Sequence, residues 1–172
     1  ALEAALSGFD QRSTLRYLRS ALSPLDPDLC DLVENYAFIW GIRGQKWTEK
    51  WENHPDGLSA EWNEQISQRL EVLNEARSRA VDPLERLRMG FQKAVDLRQQ
   101  VLAMYGFLEE IALEDRLIQM AQQLDEGGDN RSAQILNQLW EILLSALEQM
   151  YDVLGETVWD QESFLRLFEL LL

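Results

Sequence analysis

The chain has 172 residues, 30 acids against 16 bases and a formal net charge of −14, with 46% hydrophobic and 27% charged residues. That balance specifies a folded chain with a sizeable core rather than a disordered segment, and a uniformly acidic surface excludes a general electrostatic coat for DNA or anionic membrane. One cysteine, Cys30, and one histidine, His54, exclude an intramolecular disulfide and a conventional Cys/His zinc site, and no apolar run approaches the ~20 residues of a membrane-spanning helix.

Helical periodicity dominates the chain. Ala1–Leu6 already reads as helix, and a first amphipathic helix is expected from about Gln11 to Leu22, with Leu15, Leu18 and Leu22 on one side. Ser23-Pro24-Leu25-Asp26-Pro27 breaks it. Asp26 is a good N-cap and Pro27 suits the first helical position, where its missing N–H is not needed. The helix that follows, about 27–40, ends at Gly41. Residues 41–58 show no helical period, and an 18-residue irregular stretch exceeds an ordinary connector. Ser59 is then expected to cap a long helix bearing Trp62, Ile66, Leu70 and Leu73. Asp82-Pro83 repeats the aspartate–proline start, and an apolar series from Leu84 through Leu102 and Tyr105 runs to about Glu109, with Asp96 able to cap a second segment.

A helix at about 114–125 should stop at Gly127-Gly128. Asp129 opens the cleanest pattern, to Leu154, with one stripe through Ala133, Leu136, Trp140, Leu143, Leu147 and Met150. A second stripe follows Ile135, Leu139, Ile142, Ala146 and Val153. A helix so widely apolar is expected at the centre of a bundle. Asp160 or Ser163 starts the last helix. β-branched residues are scarce and no fixed-period repeat exists, so the expected fold is all-α, a bundle of about six to eight helices with one long irregular loop at about 41–58. The expected organisation is a single helical domain over 1–172, with lobes at 1–58 and 59–172. Both ends read as cut from a longer polypeptide, since helix begins at Ala1 and the chain closes on three leucines without a glycine cap.

Charge is unevenly distributed. Residues 1–100 hold 13 bases and 16 acids, net −3, whereas residues 101–172 hold 3 bases and 14 acids, net −11. Any anion-binding surface is therefore expected in the first half. Arg12, Arg16 and Arg19 fall at helical spacing on one face, and Arg43, Lys46 and Lys50 interleave with Trp47 and Trp51 in the irregular stretch. Guanidinium forks suit phosphate and indoles stack on unpaired bases. The plainer reading has the arginines paired with neighbouring acids and the tryptophans anchoring the loop.

Catalytic chemistry has little to stand on. Glu109-Glu110 and Glu114-Asp115 read as solvated helix ends rather than a metal site, and His54 reads as an exposed turn residue. Cys30 reads as a half-buried thiol, although a first-turn position can also activate one. Gly41-Ile42-Arg43-Gly44 is too short to cradle a phosphate, and neither a Walker loop nor a dinucleotide fingerprint is present. The expectation is no catalytic residue, no metal site, no cofactor and no small-molecule substrate in this chain.

Three segments carry a resemblance. Leu15-Arg16-Tyr17-Leu18-Arg19-Ser20-Ala21-Leu22, then Asp31-Leu32-Val33-Glu34-Asn35-Tyr36, then Gly41-Ile42-Arg43-Gly44-Gln45-Lys46-Trp47 resemble in order and spacing the AddB-type subunit of bacterial ATP-dependent helicase–nucleases. That family shows Tyr-Leu-Lys-Thr-Gly-Leu, Leu-Glu-Asn-Tyr and Gly-Ile-Arg-Gly followed by tryptophan; this sequence departs with Arg19-Ser20-Ala21 in place of Lys-Thr-Gly. The resemblance implies double-strand break repair and recombination in the bacterial cytoplasm, with a helicase–nuclease partner subunit and DNA held through the intact complex. It also implies ATP, magnesium and an iron–sulfur cluster outside this segment. The expected function is a non-catalytic helical accessory domain contacting DNA or the partner subunit through Arg12, Arg16, Arg19, Arg43, Lys46 and Lys50, with Trp47 as a packing or stacking anchor. The alternative is a protein–protein adaptor or scaffold without DNA contact.

Overall fold

The computed structural model describes residues 1–58 and 61–171. Among them are eight α-helices and no strand: α1 (Leu2–Leu6), α2 (Gln11–Leu18), α3 (Pro27–Trp40), α4 (Glu64–Lys93), α5 (Leu97–Glu110), α6 (Leu113–Glu126), α7 (Asn130–Leu154) and α8 (Gln161–Leu171), with a 3₁₀ turn at Gly44–Trp47. The fold is all-α, as expected. The chain forms two compact units, residues 1–88 and 89–172, and the division falls inside α4.

In the first unit, helix starts follow the capping chemistry written in the sequence. The Asp10 carboxylate accepts the Arg12 and Ser13 N–H groups at the start of α2, and Asp26 accepts from Leu29 at the start of α3, with Pro27 in the first turn. Hydrogen bonds from Ser13 and Ser7 hold the Asp10 carboxyl down at about 2. α2 stops at Leu18 rather than Leu22. There the Ser20 hydroxyl donates to the Tyr17 carbonyl (2.7 Å), and the N–H groups of Ser20 and Ser23 each bond three residues back, converting the continuation into tight turns.

α4 begins at Glu64, and the Asn63 side chain accepts the Ile66 N–H at 2.9 Å. The expected cap, Ser59, lies outside the described residues, and Trp62 precedes the helix instead of lying on its stripe. Asp82-Pro83 does not open a new helix; Pro83 sits inside α4. Ala80, Val81, Leu84 and Leu87 are all buried on either side of it, so packing outweighs the hydrogen bond the ring removes.

In the second unit, α7 packs on α6 and α5. Asp96 and Asp129 cap α5 and α7 through the Gln99 and Ser132 N–H groups, and Asp160, not Ser163, caps α8 by accepting the Ser163 N–H (2.7 Å). The segment after α7 caps α5 in turn: Leu97 N–H donates to the Thr157 carbonyl (2.9 Å), Arg98 N–H to Gly155 (3.0 Å) and the Gln100 side chain to Trp159 (2.8 Å). Phe164 of α8 is fully buried and meets Phe91 edge-on at 4.8 Å.

α7 is not the central helix its pattern suggested. Ala133, Leu143, Ala146, Leu147 and Met150 are buried, but Ile135, Leu139, Ile142 and Val153 face solvent. α5 and α6 cover one side of α7 only, which leaves its second stripe open.

Candidate functional site

The irregular stretch 41–58 is held rigidly by bonds to α3 and α4. Its entry is a helix-closing motif: Gly41 takes the left-handed conformation (φ 56), Ile42 N–H reaches back to Ala37 O (2.9 Å) and Gly41 N–H to Phe38 O (3.4 Å). Gly44 is also left-handed (φ 59), and its N–H donates to the Phe9 carbonyl at 2.9 Å. Phe9 is itself a left-handed non-glycine (φ 64) whose ring is buried, a conformation that only surrounding packing sustains. The two glycines of Gly41-Ile42-Arg43-Gly44 thus serve chain reversal and docking beside the start of α2. The N–H groups of Gly41, Ile42 and Gly44 are spent on carbonyls, so this turn does not fit a nucleotide phosphate.

Beyond the turn, an aromatic stack fixes the loop. Trp51 lies flat on Tyr36 (4.5 Å between centroids, 10° between planes) and meets Trp47 at 5.6 Å. Tyr36 Oη donates to the Asn53 carbonyl (3.1 Å) and accepts the Asn53 N–H (3.0 Å). Burial raises the Tyr36 phenol above its ordinary pKa. Asn74 of α4 mirrors that arrangement, accepting the Trp51 N–H (2.8 Å) and donating to the Trp51 carbonyl (2.9 Å). Arg77, one turn along α4, is buried and donates through Nη1 to the Trp47 carbonyl at 3.0 Å and through Nη2 to Ser78 Oγ at 2.8 Å. Burial lowers its pKa, opposed by Asp82 at 4.0 Å.

The seven residues singled out in the sequence fall into three groups. Arg43, Lys46 and Lys50 are exposed on the rim of the loop, and none has an ion-pair partner among the described residues. Lys46 and Lys50 border a cleft of about 200 Å³ whose walls include Tyr36, Trp40, Ile42 and Trp51, with Glu49 and Glu52 also on its edge. Trp47 is 0% exposed; it anchors the loop from within and offers no face to a base. On α2 and its C-cap, Arg16 pairs with Glu3 (3.1 Å) and the capping Arg19 with Glu34 through Nε at 2.8 Å, while Arg12 is exposed without an ion pair among the described residues. Of the seven, Arg12, Arg43, Lys46 and Lys50 are thus the cations without an ion pair among the described residues.

His54 is buried rather than exposed. Its Nδ1 accepts the Asp56 N–H (3.0 Å), its ring meets Trp62 edge-on at 5.1 Å, and its carbonyl accepts the Trp40 indole N–H (3.0 Å). Cys30 is also buried, with its thiol donating to the Leu18 carbonyl at 2.9 Å, and desolvation raises its pKa. A lone buried thiol does not fit an iron–sulfur cluster. No group of three or more His, Cys, Asp or Glu side chains suited to a metal ion occurs among the described residues. Among them, too, no helix is long and apolar enough to cross a membrane.

Arg77 and Asn74 were not singled out in the sequence, although Arg77 carries a signal. It stands four residues after Leu73 and four before Val81, within the buried stripe of α4, where a charged side chain needs internal partners.

No protein-family model matches the chain. Among curated proteins it is similar over 98% of its length to the B-type subunit of the ATP-dependent helicase/deoxyribonuclease of Caldanaerobacter subterraneus (31% identity over 170 residues). It is likewise similar to subunits of the same name from Clostridioides difficile (28% over 172 residues, 99% of the chain) and Geobacillus kaustophilus (30% over 182 residues, 98% of the chain). The chain spans only 15–16% of the length of these relatives.

Proposed function

From a chain that belongs to the AddB-type family of helicase/deoxyribonuclease subunits, we propose a non-catalytic helical accessory segment of a DNA-processing helicase–nuclease, holding DNA phosphates through Arg12, Arg43, Lys46 and Lys50. The observation that carries this reading is that Arg43, Lys46 and Lys50, exposed and without an ion pair among the described residues, stand on a loop whose backbone is locked by Tyr36, Asn74 and Arg77, with Arg12 exposed on α2. A fixed loop presents its charges without an ordering penalty on binding, and phosphate contact needs no catalytic group. ATP hydrolysis, strand cleavage and the iron–sulfur cluster are assigned to other parts of the parent polypeptide, and the partner subunit completes the assembly.

The test is binding of fluorescein-labelled duplex and single-stranded oligonucleotides by the intact helicase–nuclease, followed by anisotropy across a salt series. Replacing Arg43, Lys46 and Lys50 together by alanine is expected to weaken binding by about tenfold or more. Three lost phosphate contacts flatten the log–log salt slope by about 2–3. Replacing Arg16 and Arg19, already committed to Glu3 and Glu34, is expected to do much less. An unchanged slope in the triple variant overturns the DNA reading and leaves the protein–protein adaptor.

A further inference from the structure

The open face of α7 is unusual in its regularity. Ile135 (58% exposed), Leu139 (36%), Ile142 (49%) and Val153 (76%) lie four, three and eleven residues apart on one face over about five turns of helix. Ala146 and Gln149 complete the four–three register between them, Ala146 buried and Gln149 polar and exposed. Such spacing is the seam of a two-helix coiled coil. An open groove of about 310 Å³ lies beside its middle turns, lined by Glu141, Ile142, Ser145, Ala146 and Gln149. Single exposed apolar residues are commonplace, but an aligned row of them marks an interaction surface.

Charge selects the occupant. No basic residue occurs between Arg131 and Arg166, whereas that interval holds Glu141, Glu148, Asp152, Glu156, Asp160 and Glu162. By helical geometry Glu141, Glu148 and Asp152 follow the flank of the stripe away from the buried side. A second copy of this chain would bring the same acids against them and be repelled.

We propose that the exposed stripe of α7 docks a basic amphipathic helix of the parent assembly, with apolar residues at matching four–three spacing and Lys or Arg along the flank facing Glu141, Glu148 and Asp152. The apolar row supplies the contact and the acids set partner and orientation. This surface is independent of the basic loop, so either assignment stands or falls alone.

The probe is a fluorescein-labelled helical peptide of about three heptads, leucine at the seam positions and lysine on the flanks, titrated against the full 172-residue chain. Saturable binding is expected, about tenfold or more weaker for a peptide of identical composition with the leucine spacing scrambled. The same loss is expected with the Leu139→Asp/Ile142→Asp chain or, as a milder second variant, Ile135→Gln/Val153→Gln, each checked for unchanged helicity by circular dichroism. Glu141→Gln/Glu148→Gln/Asp152→Asn should weaken binding and flatten its salt dependence. Equal binding of the scrambled peptide, absence of saturable binding, or self-association of the chain abolished by the stripe variants overturns the proposal.

Discussion

Arg77 shows how one side chain fixes a candidate binding surface that it never reaches. Its guanidinium is buried in the first unit, where Nη1 caps the Trp47 carbonyl while the loop cations Arg43, Lys46 and Lys50 remain outside. Burying a charge is unfavourable unless its donors are used, and here two of them are. Methionine at this position keeps much of the volume but leaves the Trp47 carbonyl without its donor, so Arg77→Met is expected to cost about 2 kcal/mol in urea denaturation. A change within about 0.5 kcal/mol, the range of an unremarkable surface substitution, would show that the loop is held by the aromatic stack alone. The same residue marks the limit of what the sequence reveals. Alternation of bases and tryptophans pointed to the loop, where Arg43, Lys46 and Lys50 are exposed and Trp47 and Trp51 are buried. Which cations are already paired was not legible, because Glu3 and Glu34 lie 13 and 15 residues from Arg16 and Arg19 and only tertiary packing brings them together.

At the scale of the helix, local signals predicted starts at Asp26, Asp96 and Asp129, whose carboxylates cap backbone N–H groups, and the stop at Gly41, whose left-handed backbone closes α3; the Asn63 cap of α4 was not read from the sequence. Misreadings arose where packing overrides a local preference or resets a phase. Pro83 is retained within α4 because its flanks are core. The stripe drawn onward through Leu102, Tyr105 and Leu108 holds only at Leu108, because the break at Asp96 restarts the helix and buries Leu97, Val101 and Met104 in place of Leu102 and Tyr105. Where α4 ends against α5, Gly90 permits an unusually close approach: a Cβ there would lie 2.7 Å from the Ala103 Cβ. In an exposed helix Gly→Ala is stabilising, but at this crossing Gly90→Ala is expected to destabilise by about 1–3 kcal/mol through overpacking. Ala103→Gly in the same chain should recover most of that loss in a double-mutant cycle of thermal or urea unfolding. Simple addition of the two effects would refute the contact.

Over the whole chain, the net charge of −14 combines two unlike halves, nearly balanced over residues 1–100 and strongly acidic over residues 101–172. The second half has three bases for 14 acids, so repulsion among its carboxylates exceeds what ion pairing relieves, and added salt should screen that excess. Phosphate binding by Arg12, Arg43, Lys46 and Lys50 responds in the opposite sense, because salt removes the gain from counterion release. Raising sodium chloride from about 20 to about 200 mM, across the range where screening sets in, is therefore expected to raise the melting temperature by a few degrees while weakening binding to DNA. Calorimetry and anisotropy on the same preparation check both signs. A melting temperature that falls with salt would mean that attractive pairs such as Arg19–Glu34 and Arg69–Asp56 outweigh the acidic excess. DNA binding indifferent to salt would mean that no phosphate is held. In this chain the two signs have separate origins, the crowded carboxylates of residues 101–172 and the cations Arg12, Arg43, Lys46 and Lys50 of the first half.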